Sequence, residues 1–138
     1  MNQKEHTSVI GLFMGKGEFP EQSPLAKKRE IQGWTIAESP DDPKYKRAKR
    51  KFPGAEVIIN GAGAGACVAF AAEDALREGA EKVTVEFDHT RTHDEGSNPI
   101  HTRVRHFFEQ LPSRFATDPR LVVAPDGAQV HARRNRHR

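Results

Sequence analysis

The chain has 138 residues, 36% hydrophobic and 30% charged, with a formal net charge of +3 and one cysteine. That length gives a single domain, and one cysteine excludes a disulfide framework or a multi-cysteine zinc site. No apolar span of about twenty residues occurs and the opening MNQKEHTS is polar, so the expectation is a cytoplasmic protein with no membrane partner.

In chain order, residues 8–14 (SVIGLFM) form the first strand candidate, followed by Gly15-Lys16-Gly17. Glu18 to Pro24 contains two prolines and reads as loop. Leu25 to Ala37 is assigned to a helix of weak periodicity, interrupted by Gly33. Ser39 to Pro43 is a turn with a helix cap. Lys44 to Phe52 is then helical and dense in positive charge, with a thin apolar seam of Tyr45, Ala48 and Phe52. Pro53-Gly54 ends it.

The chain is organised around residues 56–87. Val57-Ile58-Ile59 is a short buried strand, residues 61–66 alternate glycine and alanine, and residues 67–77 are helical. Val68, Ala71, Ala72, Ala75 and Leu76 fall on one face of a 3.6-residue period. Gly79 stands at the expected C-cap, and Val83 to Phe87 begins the next strand. Strand, crossover helix and strand within about thirty residues make a βαβ unit, hence parallel strands with a ligand edge at their C-terminal ends. A polar loop over 88–98 follows. Pro99 to Leu111 is the most regular helix, with Ile100, Val104, Phe107, Phe108 and Leu111 on one face; residues 121–124 form the last strand. These elements predict a three-layer α/β/α domain over residues 1–130, with a mostly parallel four- or five-stranded sheet. A short sheet leaves an edge that a homodimer could cover.

Residues 131–138 form a basic, disordered tail in this scheme. Setting aside Arg133, Arg134, Arg136 and Arg138 leaves 18 basic residues against 19 acidic. The domain is therefore close to neutral, which makes the tail a solvated appendage and leaves any nucleic-acid contact to the tail.

Three constellations carry chemistry. Gly61, Gly63 and Ala66 fit G-x-G-x-x-[G/A] between a strand and a helix, with Gly65 in the same loop. Glu86 or Asp88 stands about twenty residues on, where a ribose-binding acid belongs. Small residues there let a backbone approach a pyrophosphate at a helix N-terminus, which gives an NAD(P)-type nucleotide-binding module. Cys67 sits at that same helix N-terminus, where the dipole favours a thiolate. The run Ala66-Cys67-Val68, Ala72, Asp74-Ala75, Gly79 and Val83-Thr84-Val85 resembles the nucleophile helix of isochorismatase-like cysteine hydrolases. That family also uses an aspartate just after the first strand, and here no acid follows residues 8–14 until Glu18. Finally, His89, His93, His101 and His106 cluster after one strand among Asp88, Asp94 and Glu95, a donor set suited to a divalent first-row metal.

The whole layout resembles the small class II metal chelatases of sirohaem and cobalamin pathways. Met14-Gly15-Lys16-Gly17 stands at the family's Gly-His-Gly turn, Phe52-Pro53-Gly54 before its second motif strand, Gly79 to Val85 at its helix-to-strand junction, His101 at its helix-opening histidine, and Val123-Ala124-Pro125-Asp126-Gly127 at its closing turn. The resemblance implies a three-layer fold binding a tetrapyrrole and a divalent metal (Co, Ni or Fe), with insertion of the metal as the activity if the chain is an enzyme. It implies His101, His89 and His93 as metal ligands, Glu95 with His101 in proton transfer, and Lys16 toward the carboxylates of the macrocycle. Lys16 replaces the family's first metal histidine, and a protonated lysine cannot ligate a metal.

Overall fold

A computed structural model describes residues 8–14, 29–61, 66–87 and 100–124, with the backbone alone at 66, 100–103 and 124. Five strands form one sheet in the order β2-β1-β3-β4-β5. They are β1 (Val9–Met14), β2 (Thr35–Ala37), β3 (Glu56–Gly61), β4 (Lys82–Phe87) and β5 (Leu121–Ala124). All four pairings are parallel, which makes the sheet wholly parallel. The helices are α1 (Pro43–Lys49), α2 (Ala66–Arg77), α3 (Ile100–Gln110) and the single turn α4 (Ser113–Ala116).

The strand order follows from handedness. β1 passes to β2 on one side, and the chain then crosses to β3 on the other and continues outward to β4 and β5. With right-handed crossovers, the reversal puts α1, α2 and α3 on one face and the helical segment ending at residue 31 on the other. Burial agrees. Leu12 and Met14 of β1, Val57 and Ile59 of β3, and Val83, Val85 and Phe87 of β4 share one core with Tyr45, Ala71, Ala72, Ala75, Val104 and Phe107 of the three helices. Phe13 and Ile36 point the opposite way and pack with Trp34. This is the three-layer α/β domain that the βαβ pattern predicts.

The residues predicted as one helix over 25–37 divide in two. Residues 29–31 are helical, Gly33 takes φ +92, and residues 35–37 become β2. Only glycine adopts that φ without strain. Beyond it, Thr35, Ile36 and Ala37 align with Leu12, Phe13 and Met14 of β1. Pairing with a neighbouring strand overrides a weak helical pattern in so short a segment.

Local chemistry fixes the remaining boundaries. Asp42 Oδ1 accepts from the Lys44 backbone N–H at 2.9 Å, capping α1, with Pro43 in its first turn. Gly79 ends α2 at φ +89. The N–H of Ala80 bonds the carbonyl of Ala75 at 2.9 Å and that of Gly79 the carbonyl of Leu76 at 3.2 Å, the paired bonds of a Schellman motif. Arg120 then ties this end of α2 to β5. Its guanidinium donates to the carbonyls of Leu76 and Ala80 at 3.2 and 3.3 Å and grips Asp118 at 2.7 and 3.0 Å. The hydrogen bonds from Arg120 hold the Asp118 carboxyl below the usual aspartate range. No helix among the described residues is long and apolar enough to cross a membrane.

The α1–α2 contact carries a partly buried polar pair. Tyr45 is 1% exposed, and its Oη donates to Asp74 Oδ2 at 2.5 Å, with Lys49 Nζ 3.5 Å from the same oxygen. Burial first, then the Asp74 hydrogen bond, pushes the phenol above its ordinary pKa, so it stays a donor. Tyr45→Phe removes that donor and leaves Asp74 short of a partner. It should lower stability by about 1–3 kcal/mol, read as a reduced urea midpoint at unchanged slope.

Candidate functional site

In a doubly wound parallel sheet the crevice lies beyond the strand C-termini, where successive connections leave in opposite directions. Here that point is between β1 and β3, whose last residues Met14 and Gly61 are register partners. A Cβ on Gly61 would collide with Cγ2 of Val68 in the first turn of α2 and would lie 3.4 Å from the Met14 carbonyl oxygen. Glycine at 61 thus lets the N-terminal end of α2 close down onto the end of β3. This helix-to-strand contact accounts for Gly61 before any ligand is considered.

Cys67 is the second residue of α2 and is half-buried. The backbone of His101 is the second residue of α3. Both helices begin after strands that end at this edge, so Gly61, Cys67 and the backbone of His101 are brought to the same end of the sheet. Lys16, Gly63, Gly65, His89, His93 and Glu95 lie outside the described residues, as does Asp88. Among the described residues no three His, Cys, Asp or Glu side chains gather as metal ligands.

The structure adds a cluster that the sequence did not single out. Asn60 is fully buried, the sole buried polar or charged side chain among the described residues. Its Nδ2 donates to Glu86 Oε1 at 2.8 Å, and its Oδ1 accepts from Arg29 Nε at 2.7 Å. Arg29 closes the ring by donating to Glu86 Oε1 at 3.2 Å, and it also bonds Gln32 Oε1 at 3.0 Å. Asn60 and Glu86 are register partners on β3 and β4. Strand alternation points them away from α2, toward the segment that ends at residue 31. The Arg29 guanidinium also lies 4.5 Å from the centre of the Trp34 ring.

This cluster joins the helical segment to the sheet one residue below the switch point. Its charges cancel, and both donors and acceptors are matched, as a buried amide requires. It also commits Glu86, one of the two acids considered for a ribose, to Arg29 and Asn60. In sequence, Arg29 and Asn60 stand 31 residues apart, and nothing local in either segment signals the other. An asparagine ending an apolar strand run was the one available cue.

Comparison with protein-family models, with curated proteins and with solved structures finds no match. The class that fold and edge define is a doubly wound three-layer α/β domain.

Three substitutions test the packing of this edge. Asn60→Ala strips partners from Arg29 and Glu86 and should cost about 1–3 kcal/mol. A double-mutant cycle with Glu86→Ala should show a coupling of about 0.5–3 kcal/mol, measured by urea unfolding. Gly61→Ala should also destabilise, by about 1–3 kcal/mol, because Val68 must shift or the helix must lift.

Proposed function

We propose that this domain binds a small anionic molecule in the crevice at the β1/β3 switch point. The observation that carries the proposal is the convergence of Gly61, Cys67 and the start of α3 at one edge of a sheet whose order reverses there. An edge of this kind offers backbone N–H groups and the positive ends of α2 and α3 to phosphate or carboxylate. Fold alone does not select the ligand.

The finer proposal follows the chelatase resemblance: a tetrapyrrole with its carboxylates toward Lys16, and a divalent metal held by His101 with His89 or His93. Its support is the motif layout together with the placement of the His101 backbone at this edge. The alternative ligand is a dinucleotide held by the Gly61–Ala66 loop. A second reading takes Cys67 as a nucleophile, as in a degenerate isochorismatase-like hydrolase. The observation favouring it is a half-buried thiol in the first turn of a twelve-residue helix at the ligand edge.

A thermal-shift panel of Co²⁺, Ni²⁺, Fe²⁺, a water-soluble tetrapyrrole, NAD and NADP separates these. A ligand at a hundredfold excess over its Kd should stabilise the fold by about 2.7 kcal/mol. Stabilisation by metal or tetrapyrrole that disappears in His101→Ala supports the chelatase-like ligand. Stabilisation by NAD or NADP alone, lost in Gly63→Val, assigns the crevice to a nucleotide. A flat response to every compound overturns the anion-binding proposal. For the thiol, iodoacetamide alkylation of Cys67 should be half-maximal below pH of about 8.5, the ordinary thiol value; a midpoint at or above it removes the nucleophile reading.

A further inference from the structure

At the opposite end of the sheet from the switch point, the starts of β1 and β2 and the last turn of α1 enclose an open groove of about 810 Å³. One wall carries Lys44 and Arg47 of α1 together with Arg50 and Lys51 just beyond its end, and one acid, Glu30, lines the groove. Those four basic residues are exposed. Lys49, on the same helix, is paired with Asp74 at 3.5 Å, whereas Lys44, Arg47, Arg50 and Lys51 form no ion pair among the described residues.

The positive charge is concentrated there to an unusual degree. Residues 44–51 hold six of the 22 basic residues and no acid; the rest of the chain, C-terminal arginines included, has 16 basic residues against 19 acidic. Outside residues 44–51 the chain is mildly acidic, and this one segment supplies the excess positive charge. The arrangement is fixed by packing. Tyr45, Ala48 and Phe52 are buried in the core, which fixes the rotation of α1 and leaves Lys44 and Arg47 on the side that lines the groove. Trp34 forms part of the floor, held between Gly11, where a Cβ would strike the indole, and the Arg29 guanidinium.

We propose that this groove binds the phosphate backbone of a single-stranded nucleic acid, at a site separate from the switch-point crevice. Four basic side chains along one wall match a ligand with one negative charge per nucleotide. A duplex is read by an element that protrudes into its groove, and α1 lies against a concavity instead. Protein-docking surfaces centre on apolar area depleted of charge, which a wall of four cations is not. Trp34 is packed against Gly11 and the Arg29 guanidinium and is partly buried, so the phosphate contacts carry the affinity and binding is insensitive to base sequence.

The test is fluorescence anisotropy of a labelled sixteen-nucleotide oligouridylate with the full chain at 50 and 200 mM salt. Four phosphate contacts predict a fall in affinity of about 50-fold across that range. Arg47→Glu/Arg50→Glu should weaken binding at least about tenfold at 50 mM salt, with circular dichroism melting as the check on folding. Lys44→Gln/Lys51→Gln, a milder change, should give a smaller loss and covers the case in which charge reversal unfolds the protein. Trp34 is the one tryptophan in the chain, and its fluorescence should change with the same saturation curve. Undetectable binding at 50 mM salt overturns the proposal. So does binding that survives both groove variants and is lost when Arg133, Arg134, Arg136 and Arg138 are changed to serine, because the tail is then the contact. A polyglutamate peptide that binds as tightly as the oligonucleotide reassigns the groove to an acidic protein and also overturns it.

Discussion

The parallel pairing of β1 with β3 is the constraint on which the rest of this molecule depends. Six residues of each strand align, from Val9 with Glu56 to Met14 with Gly61. These strands are not consecutive in the chain, since β2 and α1 intervene. By pairing with β3 on one side and β2 on the other, β1 forces the chain to reverse direction across the sheet. The reversal creates the switch point, distributes the helices between two faces, and defines two chemically different ends of the sheet.

The two faces are unequally furnished. The α1–α3 face carries almost all of the apolar core. The opposite face has the small cluster of Phe13, Ile36 and Trp34, beside the Arg29–Asn60–Glu86 ring. A half-exposed ion pair alone contributes little, about 0–1 kcal/mol. Here the pair is hydrogen-bonded to a buried amide, and losing any member leaves the others unsatisfied. That asymmetry gives the network a positional role: it orients the segment before β2 while the larger core supplies the stability.

The two ends of the sheet differ in charge and in backbone. The C-terminal edge has a glycine strand end, a thiol and two helix N-termini, features that favour a compact anion. The N-terminal edge has the last turn of α1 and its side-chain cations, which suit an extended polyanion. One scaffold has room for both proposed sites because the connections that build one edge do not pass through the other.

Much of the fold was legible in the sequence because it is written in local pattern. The apolar run at residues 57–59, the 3.6-residue period from Val68 to Leu76, and Gly79 at its cap each declare an element and its boundary. The seam of Tyr45, Ala48 and Phe52 likewise set which side of α1 would be buried and which would display cations. Where local pattern was weak, the tertiary structure decided. Thr35 to Ala37 is a strand because β1 offers an open edge, and Gly33 can turn the chain to meet it. Asn60 is a network residue because Arg29 and Glu86 are delivered to it by separate elements. Gly61 lacks a Cβ because α2 folds back onto it. Sequence by itself determined the units, since hydrophobic period and turn chemistry act over a few residues. Only the tertiary structure decided which distant residues share a face or an edge, because that depends on strand order, which no short stretch of chain contains.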